Sequence, residues 1–368
     1  MSKLTYSELK SIYSEDNVFS SFNIDINITS TISNKNRIYY MTDILCQDLT
    51  ENEQKIWERK GLAKCIDSVP EAITNLKVTE KYADSKVRQS WSTFYALKEL
   101  IDLIMLNVPD EVTPYFRGQN GDWELTPTIL RDSFDDQFRD NFEEIYRDIA
   151  RKYPSVVQYH EYGDDRVKNL AELQHYGMGT PLVDVTKNPF IAMLFMVDGF
   201  KKGIEKKNYF PQFEIFFIKN NGRNKLFQEV EKNNSNLRID AQKGAFLNFD
   251  RLLDDTNLLF EKSDESICRI VIRIKPITPK INSIDELLGL EKPDNEDERY
   301  DGYTDKQYAL LTATKDIETK LKSYHYTIDN LFPDFYMYLD HLKTTYQTVE
   351  HPEPPEWYKF NPNKEVLD

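Results

Sequence analysis

Thr113-Pro114-Tyr115-Phe116-Arg117-Gly118-Gln119 reads as a short strand that ends on charge. Two aromatics and a glycine bracket Arg117, and a guanidinium in such a setting is costly unless its planar fork of donors meets a fixed anion or several acceptors. Gly118 lets a ligand or another backbone come close, and Gln119 adds a neutral donor and acceptor beside the charge. A strand-end arginine with these neighbours suits a phosphate or pyrophosphate, gripped bidentately. The plain structural alternative is a buried ion pair tying two segments together.

A second stretch, Leu173 to Thr186, places Gln174, His175, Thr180, Asp184 and Thr186 in a glycine-punctuated segment. Gly177, Gly179 and Pro181 end one helix, a strand begins at Leu182, and an apolar helix follows from Pro189. His175 is open to three roles: general acid or base, partner of a ribose hydroxyl, or hydrogen-bonded core histidine. Asp184 and Thr186 alternate along the strand, so both face one side. They can line a cleft, cap the helix near Asn188-Pro189, or do both.

Around these two stretches the chain alternates helix and strand. Phe22, Ile24, Ile26 and Ile28 fall on one strand face, an edge strand or an arm that pairs with a partner. Thr42 to Leu76 has helical spacing broken at Ser68-Val69-Pro70, which predicts two short helices. The run Ser90 to Met105 is an amphipathic helix with Trp91, Phe94, Leu97, Leu100, Ile101 and Ile104 on its stripe. From Leu130 to Tyr153 the pattern is helical, with Arg131, Arg139 and Arg147 read as solvated surface charge, and Val156 to Leu173 is helical again. Strands are expected at Phe213–Lys219, Ala245–Phe249 and Cys268–Lys275, and late helices at Lys306–Ser323 and Asp334–Gln347. Residues 291–299 form an acidic exposed loop.

The 368 residues include 22 Tyr and 21 Phe, enough core-forming material to exclude disorder across the chain. Lys plus Arg is 47 against 62 Asp plus Glu, a net charge of −15 that disfavours broad attraction to nucleic acid or anionic membrane. Three cysteines and five histidines lack metal-ligand spacing, so no metal is expected. No apolar run reaches the length of a membrane span and no leader is visible, so the expected setting is cytoplasmic, in a reducing compartment. No Walker loop, dinucleotide-binding turn or nucleophile elbow is present.

Tyr115 to Gln119, Trp123-Glu-Leu-Thr-Pro127, Gln174-His-Tyr-Gly177, Thr180 to Thr186 and Asn188-Pro-Phe-Ile-Ala192 follow one another in an order that resembles the FRG family, named for its Phe-Arg-Gly triplet. Arg238 to Phe246 and Leu331 to Asp334 are similar to later segments of that family. Pro181 and Val185 depart from its common pattern. The order of a strand-end Arg, a Thr-bearing strand running into a helix, and a Gln or Glu strand further on also looks like that of ADP-ribosyltransferases.

The resemblance implies an α+β fold with an ADP-ribosyltransferase-like split, mostly antiparallel sheet flanked by helices, built from strands near 115, 183, 215, 246 and 271. It divides the chain into an N-terminal helical and strand appendage (1–85), an FRG domain (86–345) and a C-terminal tail (346–368). The implied activity is NAD-dependent transfer of ADP-ribose to a macromolecular acceptor, protein, RNA or DNA, by a toxin or anti-phage effector held in check by an antitoxin-like or inhibitory partner. NAD is then a substrate, and no membrane is involved. By position, Arg117, His175, Thr186 and Gln242 carry catalysis, and Arg117, Gly118, Gln119, His175, Tyr176, Asp184 and Thr186 bind NAD. Gln242 replaces the Glu of the transferase pattern and holds sugar hydroxyls as a neutral amide, with Asp240 as a substitute acid. Two other classes compete: a nucleotide or ADP-ribose-binding sensor without turnover, and a structural adaptor that binds no nucleotide. Lys201, Lys202, Lys206, Lys207 and Arg223 are candidates for a local nucleic-acid groove.

Overall fold

A computed structural model describes residues 3–33, 36–78, 93–200, 210–220, 226–229, 244–254, 256–260, 262–277 and 304–328. In chain order these form α1 (Tyr6–Ile12), α2 (Glu15–Val18), β1 (Phe19–Ser33), β2 (Asn36–Cys46), α3 (Glu51–Arg59), α4 (Ala63–Val78), α5 (Thr93–Met105) and β3 (Val112–Gln119). There follow α6 (Asp136–Asp140), α7 (Phe142–Lys152), α8 (Gly163–His175), β4 (Leu182–Thr186), α9 (Pro189–Val197), β5 (Gln212–Lys219), β6 (Phe227–Gln228), β7 (Gly244–Asn248), α10 (Asn257–Phe260), β8 (Ile267–Pro276) and α11 (Asp305–Ser323).

All eight strands share one sheet in the order β2-β1-β8-β5-β3-β4-β7-β6. Every pairing is antiparallel except β1 with β8, which runs parallel from Phe19↔Ile267 to Ile28↔Pro276. The α+β class and the mostly antiparallel sheet therefore match the sequence expectation. Strand alternation sends Phe213, Ile215 and Phe217 of β5 into one core and Phe216 and Ile218 into the other. The first core also takes Ile24, Ile26 and Ile28 of β1, Phe94, Leu97 and Leu100 of α5, and Ala309, Ala313 and Ile317 of α11. The second takes Leu9 of α1, Phe142 and Tyr146 of α7, and Leu170 of α8. Helices thus cover both faces, and β5, buried along almost its whole length, has no solvent face.

Several expectations change. Of the segment expected as an N-terminal appendage (1–85), the described strands β1 and β2 belong to the one sheet. β1 is an interior strand whose Ile24, Ile26 and Ile28 are fully buried, and it joins two strands that lie 221 residues apart in the chain, from Cys46 at the end of β2 to Ile267 at the start of β8 (267 − 46 = 221). The break between the two early helices lies at Lys60-Gly61-Leu62, after a β2 strand that helical spacing had not suggested. Pro70 sits inside α4 instead of ending it. Its ring costs a hydrogen bond, and burial of Cys65, Val69 and Ile73 along one stripe holds the helix regardless. The helix expected from Leu130 is a short 3-10 turn followed by α6 and α7, and α8 begins only at Gly163. Trp91, residues 291–299 and the helix expected at Asp334–Gln347 lie outside the described residues. Among the described residues, no helix is long and apolar enough to cross a membrane.

Candidate functional site

β3 sits mid-sheet, paired along its whole length with β5 and touching β4 through a single bridge, Phe116↔Thr186. A sheet that loses its ladder after one pair opens a gap between strands, and the polar end of β3 lies at that gap. Gly118 is required there by α9. A Cβ at this position would stand 1.8 Å from the Ala192 carbonyl oxygen and 2.7 Å from the Met196 nitrogen. Of the two reasons the sequence offers for a glycine, close approach of a backbone is the one realised.

Arg117 is held from two sides. Its Nη1 donates to the Asp184 carbonyl oxygen at 2.8 Å, and its Nε lies 3.9 Å from Glu214 Oε2. Glu214, the cross-strand neighbour of Arg117 on β5, is fully buried. The two facing atoms, Arg117 Nε and Glu214 Oε2, are both buried without a hydrogen-bond partner. Burial pushes the Glu214 carboxyl up from its ordinary range, against the pull of Arg269 and then of Arg117. Glu214 thus stands between Arg117 and its nearer partner Arg269, and among the described residues Arg117 has one acceptor within hydrogen-bond distance, the Asp184 carbonyl oxygen.

Behind this pair lies a polar band crossing four strands on one face of the sheet. Arg269 of β8 donates to Glu214 Oε1 (2.9 Å) and to Ser21 Oγ of β1 (2.7 Å), and pairs with Glu15 at 2.9 Å. Arg273 donates to Asn23 Oδ1 of β1 (2.5 Å) and Gln212 Oε1 of β5 (3.3 Å). The clean alternation of Cys268–Lys275 thus does not mark a solvated face, since Arg269 is only 3% exposed. Its polar positions interlock with those of β1 and β5, and the band ends at Arg117 and Gln119.

The second site segment is built by a helix end. Tyr176 caps α8, Gly177 adopts φ +84°, Met178 N–H reaches back to Leu173 O (3.1 Å) and Gly177 N–H to Gln174 O (3.0 Å). That is the paired hydrogen-bond pattern of a Schellman stop, and it favours glycine. The turn leaves Gln174 between Thr180, whose hydroxyl donates to Oε1 (2.5 Å), and Asp184, whose Oδ2 accepts from Nε2 (2.6 Å). The relay fixes the amide of Gln174 and the carboxylate of Asp184 together. Thr186 Oγ1 accepts from the Asn188 N–H (3.1 Å), and Asn188 Oδ1 caps α9 by accepting from Phe190 N–H (2.9 Å). Helix capping therefore belongs to Asn188, with Thr186 supporting the turn. Asp184 takes no part in it.

Arg117, Gly118, Gln119, His175, Asp184 and Thr186 all line one cleft of about 300 Å³. Asn120, Phe195 and Asp198 line it too and escaped the sequence reading. Asn120 Nδ2 donates to the Asp198 carbonyl oxygen (2.6 Å), closing the rim. Tyr176 is outside the lining and 65% exposed. Gln242 and Asp240, together with Lys201, Lys202, Lys206, Lys207 and Arg223, fall outside the described residues. Among the described residues no group of three or more His, Cys, Asp or Glu is placed to hold a metal ion.

The arginines expected on the surface divide. Arg147 is exposed and lies against Tyr159. Arg139 is 2% exposed, and its guanidinium donates to the carbonyls of Ile129 (3.0 Å), Arg131 (2.8 Å) and Phe134 (2.5 Å). It staples the loop that carries Arg131, whose Nε donates to Thr126 O (3.0 Å). That loop is also pinned to the second site segment, because Ile129 N–H donates to Thr180 O at 3.2 Å.

Residues 113–203 match the family model of the FRG domain, and this stretch supplies every residue of the cleft lining except Phe246. No curated protein and no solved structure matches the chain.

Proposed function

We propose that the chain is an NAD-dependent ADP-ribosyltransferase acting on a macromolecule. The observation that carries this reading is the cleft at the β3/β4 gap, where Arg117, His175, Asp184 and Thr186 meet although the sequence separates them by as much as 69 residues, 117 to 186. An unsaturated arginine backed by a buried carboxylate suits a diphosphate. The single-bridge junction of β3 and β4 is also what a split sheet of the transferase kind would need.

In the proposed reaction the bond between ribose C1′ and the nicotinamide nitrogen breaks, and its electron pair leaves with neutral nicotinamide. A nucleophile of the acceptor forms the new bond to C1′ and gives up its proton. Arg117 holds the diphosphate, and Thr186 and Phe195 shape the wall on which the nicotinamide rests. Asp184, fixed by Gln174, presents a carboxylate to the cleft and so offers the electrostatic stabilisation that a positive anomeric centre needs. It stands in for the glutamate replaced by Gln242. In this reading His175, which lines the cleft, takes the acceptor's proton.

The test is incubation with labelled NAD and a cell lysate separated into protein, RNA and DNA fractions, beside an Arg117→Ala control. Label in one fraction, lost in the control and accompanied by free nicotinamide, is the expected result. NAD left intact with no label anywhere removes the reading. Binding without nicotinamide release would leave a nucleotide sensor, a reading favoured by the absence of any glutamate from the described cleft lining.

A further inference from the structure

A second cavity of about 530 Å³ adjoins the cleft of about 300 Å³ through the shared side chain of Gln119. Its walls come from Lys10 and Tyr13 at the end of α1 and from Trp123, Thr126 and Arg131 of the loop after β3. These walls are fixed. Tyr13 Oη donates to the Leu125 carbonyl oxygen (2.5 Å), and Gln119 Nε2 donates to the Trp123 carbonyl oxygen (2.7 Å). Arg139 clamps the Arg131 backbone from below.

The cavity is lined by two cations, Lys10 and Arg131, and two acids, Asp132 and Glu124. Asp132 pairs with Lys10 Nζ at 2.7 Å, and Glu124 accepts from the Glu15 backbone N–H at 3.3 Å. Among the described residues, the guanidinium of Arg131 makes one hydrogen bond, through Nε to the Thr126 carbonyl, and no ion pair. Arg131 is exposed at the cavity wall, and the like charge of Arg117 bears on it. Two arginines therefore face the neighbourhood of Gln119 from adjoining cavities, each with donors unused, and an anion between them would relieve their repulsion. Beyond Arg131, the indole of Trp123 is 45% exposed at the cavity wall, a flat apolar surface beside the cationic group.

We propose that this second cavity is a subsite for the remote half of a nucleoside diphosphate ligand: Arg131 and Arg117 grip the diphosphate from either side of Gln119, and the base lies against Trp123. The inference rests on the nucleotide reading of the cleft, and it adds residues that reading does not use. It also gives the N-terminal segment a place in the site, because Lys10 and Tyr13 build the far wall.

The experiment uses the full chain with ADP and inorganic pyrophosphate as probes, followed by calorimetry and tryptophan fluorescence. ADP is expected to quench a signal that Trp123→Phe removes. Arg131→Gln is expected to weaken ADP and pyrophosphate alike by about 10- to 100-fold, the loss of one or two charge-assisted hydrogen bonds. Trp123→Leu should weaken ADP by about 10-fold and leave pyrophosphate unchanged, the loss of one stacked base. Arg131→Lys, which keeps the charge, should recover part of the affinity, and melting curves check that each variant folds. Unchanged ADP affinity in Arg131→Gln and Trp123→Leu overturns the subsite, as does failure of both probes to bind the unaltered protein. Binding that depends on both arginines, with nicotinamide never released from NAD, keeps the subsite and removes the transferase reading. Nicotinamide release unaffected by Arg131→Gln does the reverse.

Discussion

Two arginines in this protein, one buried and one half-buried, differ in how their hydrogen-bonding capacity is used. Arg166 of α8 donates through Nε and Nη2 to Asp250 (2.5 and 3.3 Å), through Nη1 and Nη2 to Glu143 (3.2 and 2.5 Å), and through Nη1 to the His160 carbonyl oxygen (3.3 Å). The Tyr6 hydroxyl completes the cluster on Asp250. Arg117 makes one hydrogen bond, to the Asp184 carbonyl oxygen, and holds its carboxylate at 3.9 Å. A guanidinium that has found acceptors for all its nitrogens has been taken out of chemistry and works as a rivet between α1, α7, α8 and the segment after β7. One that retains donors at the edge of a cleft is spared for a ligand. Both are arginines in segments of mixed polarity, and only the count of acceptors tells them apart.

The comparison breaks first at Arg166. Arg166→Ala leaves Glu143 and Asp250 without their counter-charge and is expected to cost about 3–5 kcal/mol, read as a shift in the denaturant midpoint with unaltered slope. A loss below about 1 kcal/mol would mean that the saturated cluster is no more structural than a surface pair. Gly118→Ala is expected to follow at about 3 kcal/mol, the upper end of overpacking, because the new methyl meets the α9 backbone and not a movable side chain. Arg117→Ala should cost about 2 kcal/mol, the worth of one hydrogen bond from a charged donor, and should abolish nucleotide binding. The contrast sharpens if stability falls less than for Arg166 while ligand affinity falls more. Gly177→Ala places a side chain at φ +84° in the stop of α8 and should cost about 1 kcal/mol in thermal unfolding. A stable variant that nevertheless binds nucleotide more weakly would show that the turn sets the position of Gln174 and Asp184.

Much of the architecture was legible because it rests on local pattern. The strand ending at Gln119, the α5 stripe from Phe94 to Ile104, the glycine-marked end of α8 and the strand at Leu182 all follow from periodicity and turn chemistry, and the cleft residues expected from the sequence fall within three of those segments. What pattern does not carry is who sits opposite. Glu214 lies inside an apolar run, and no periodicity says that the facing residue is Arg117. Arg139 has the spacing of a surface charge, yet it is buried because three loop carbonyls fold back over it. β1 looks like an edge because one of its two neighbours, β8, is provided by a distant part of the chain. Gln228, Asn248 and Asp250 likewise form a polar nest after β7 that only the β6–β7 register brings together.

The one parallel pairing in the sheet also sets a timetable for biogenesis. β1 leaves the ribosome early, but the strand it must lie beside, β8, begins at Ile267. At a synthesis rate of roughly 5–20 residues per second, the apolar row of Ile24, Ile26 and Ile28 waits on the order of ten to fifty seconds with only β2 beside it. The β1–β2 hairpin is meanwhile an open template for other nascent strands. A chain stalled before β8 is therefore expected to be recovered with chaperones or in aggregates, whereas one released just after Pro276 has every described strand of the sheet in hand.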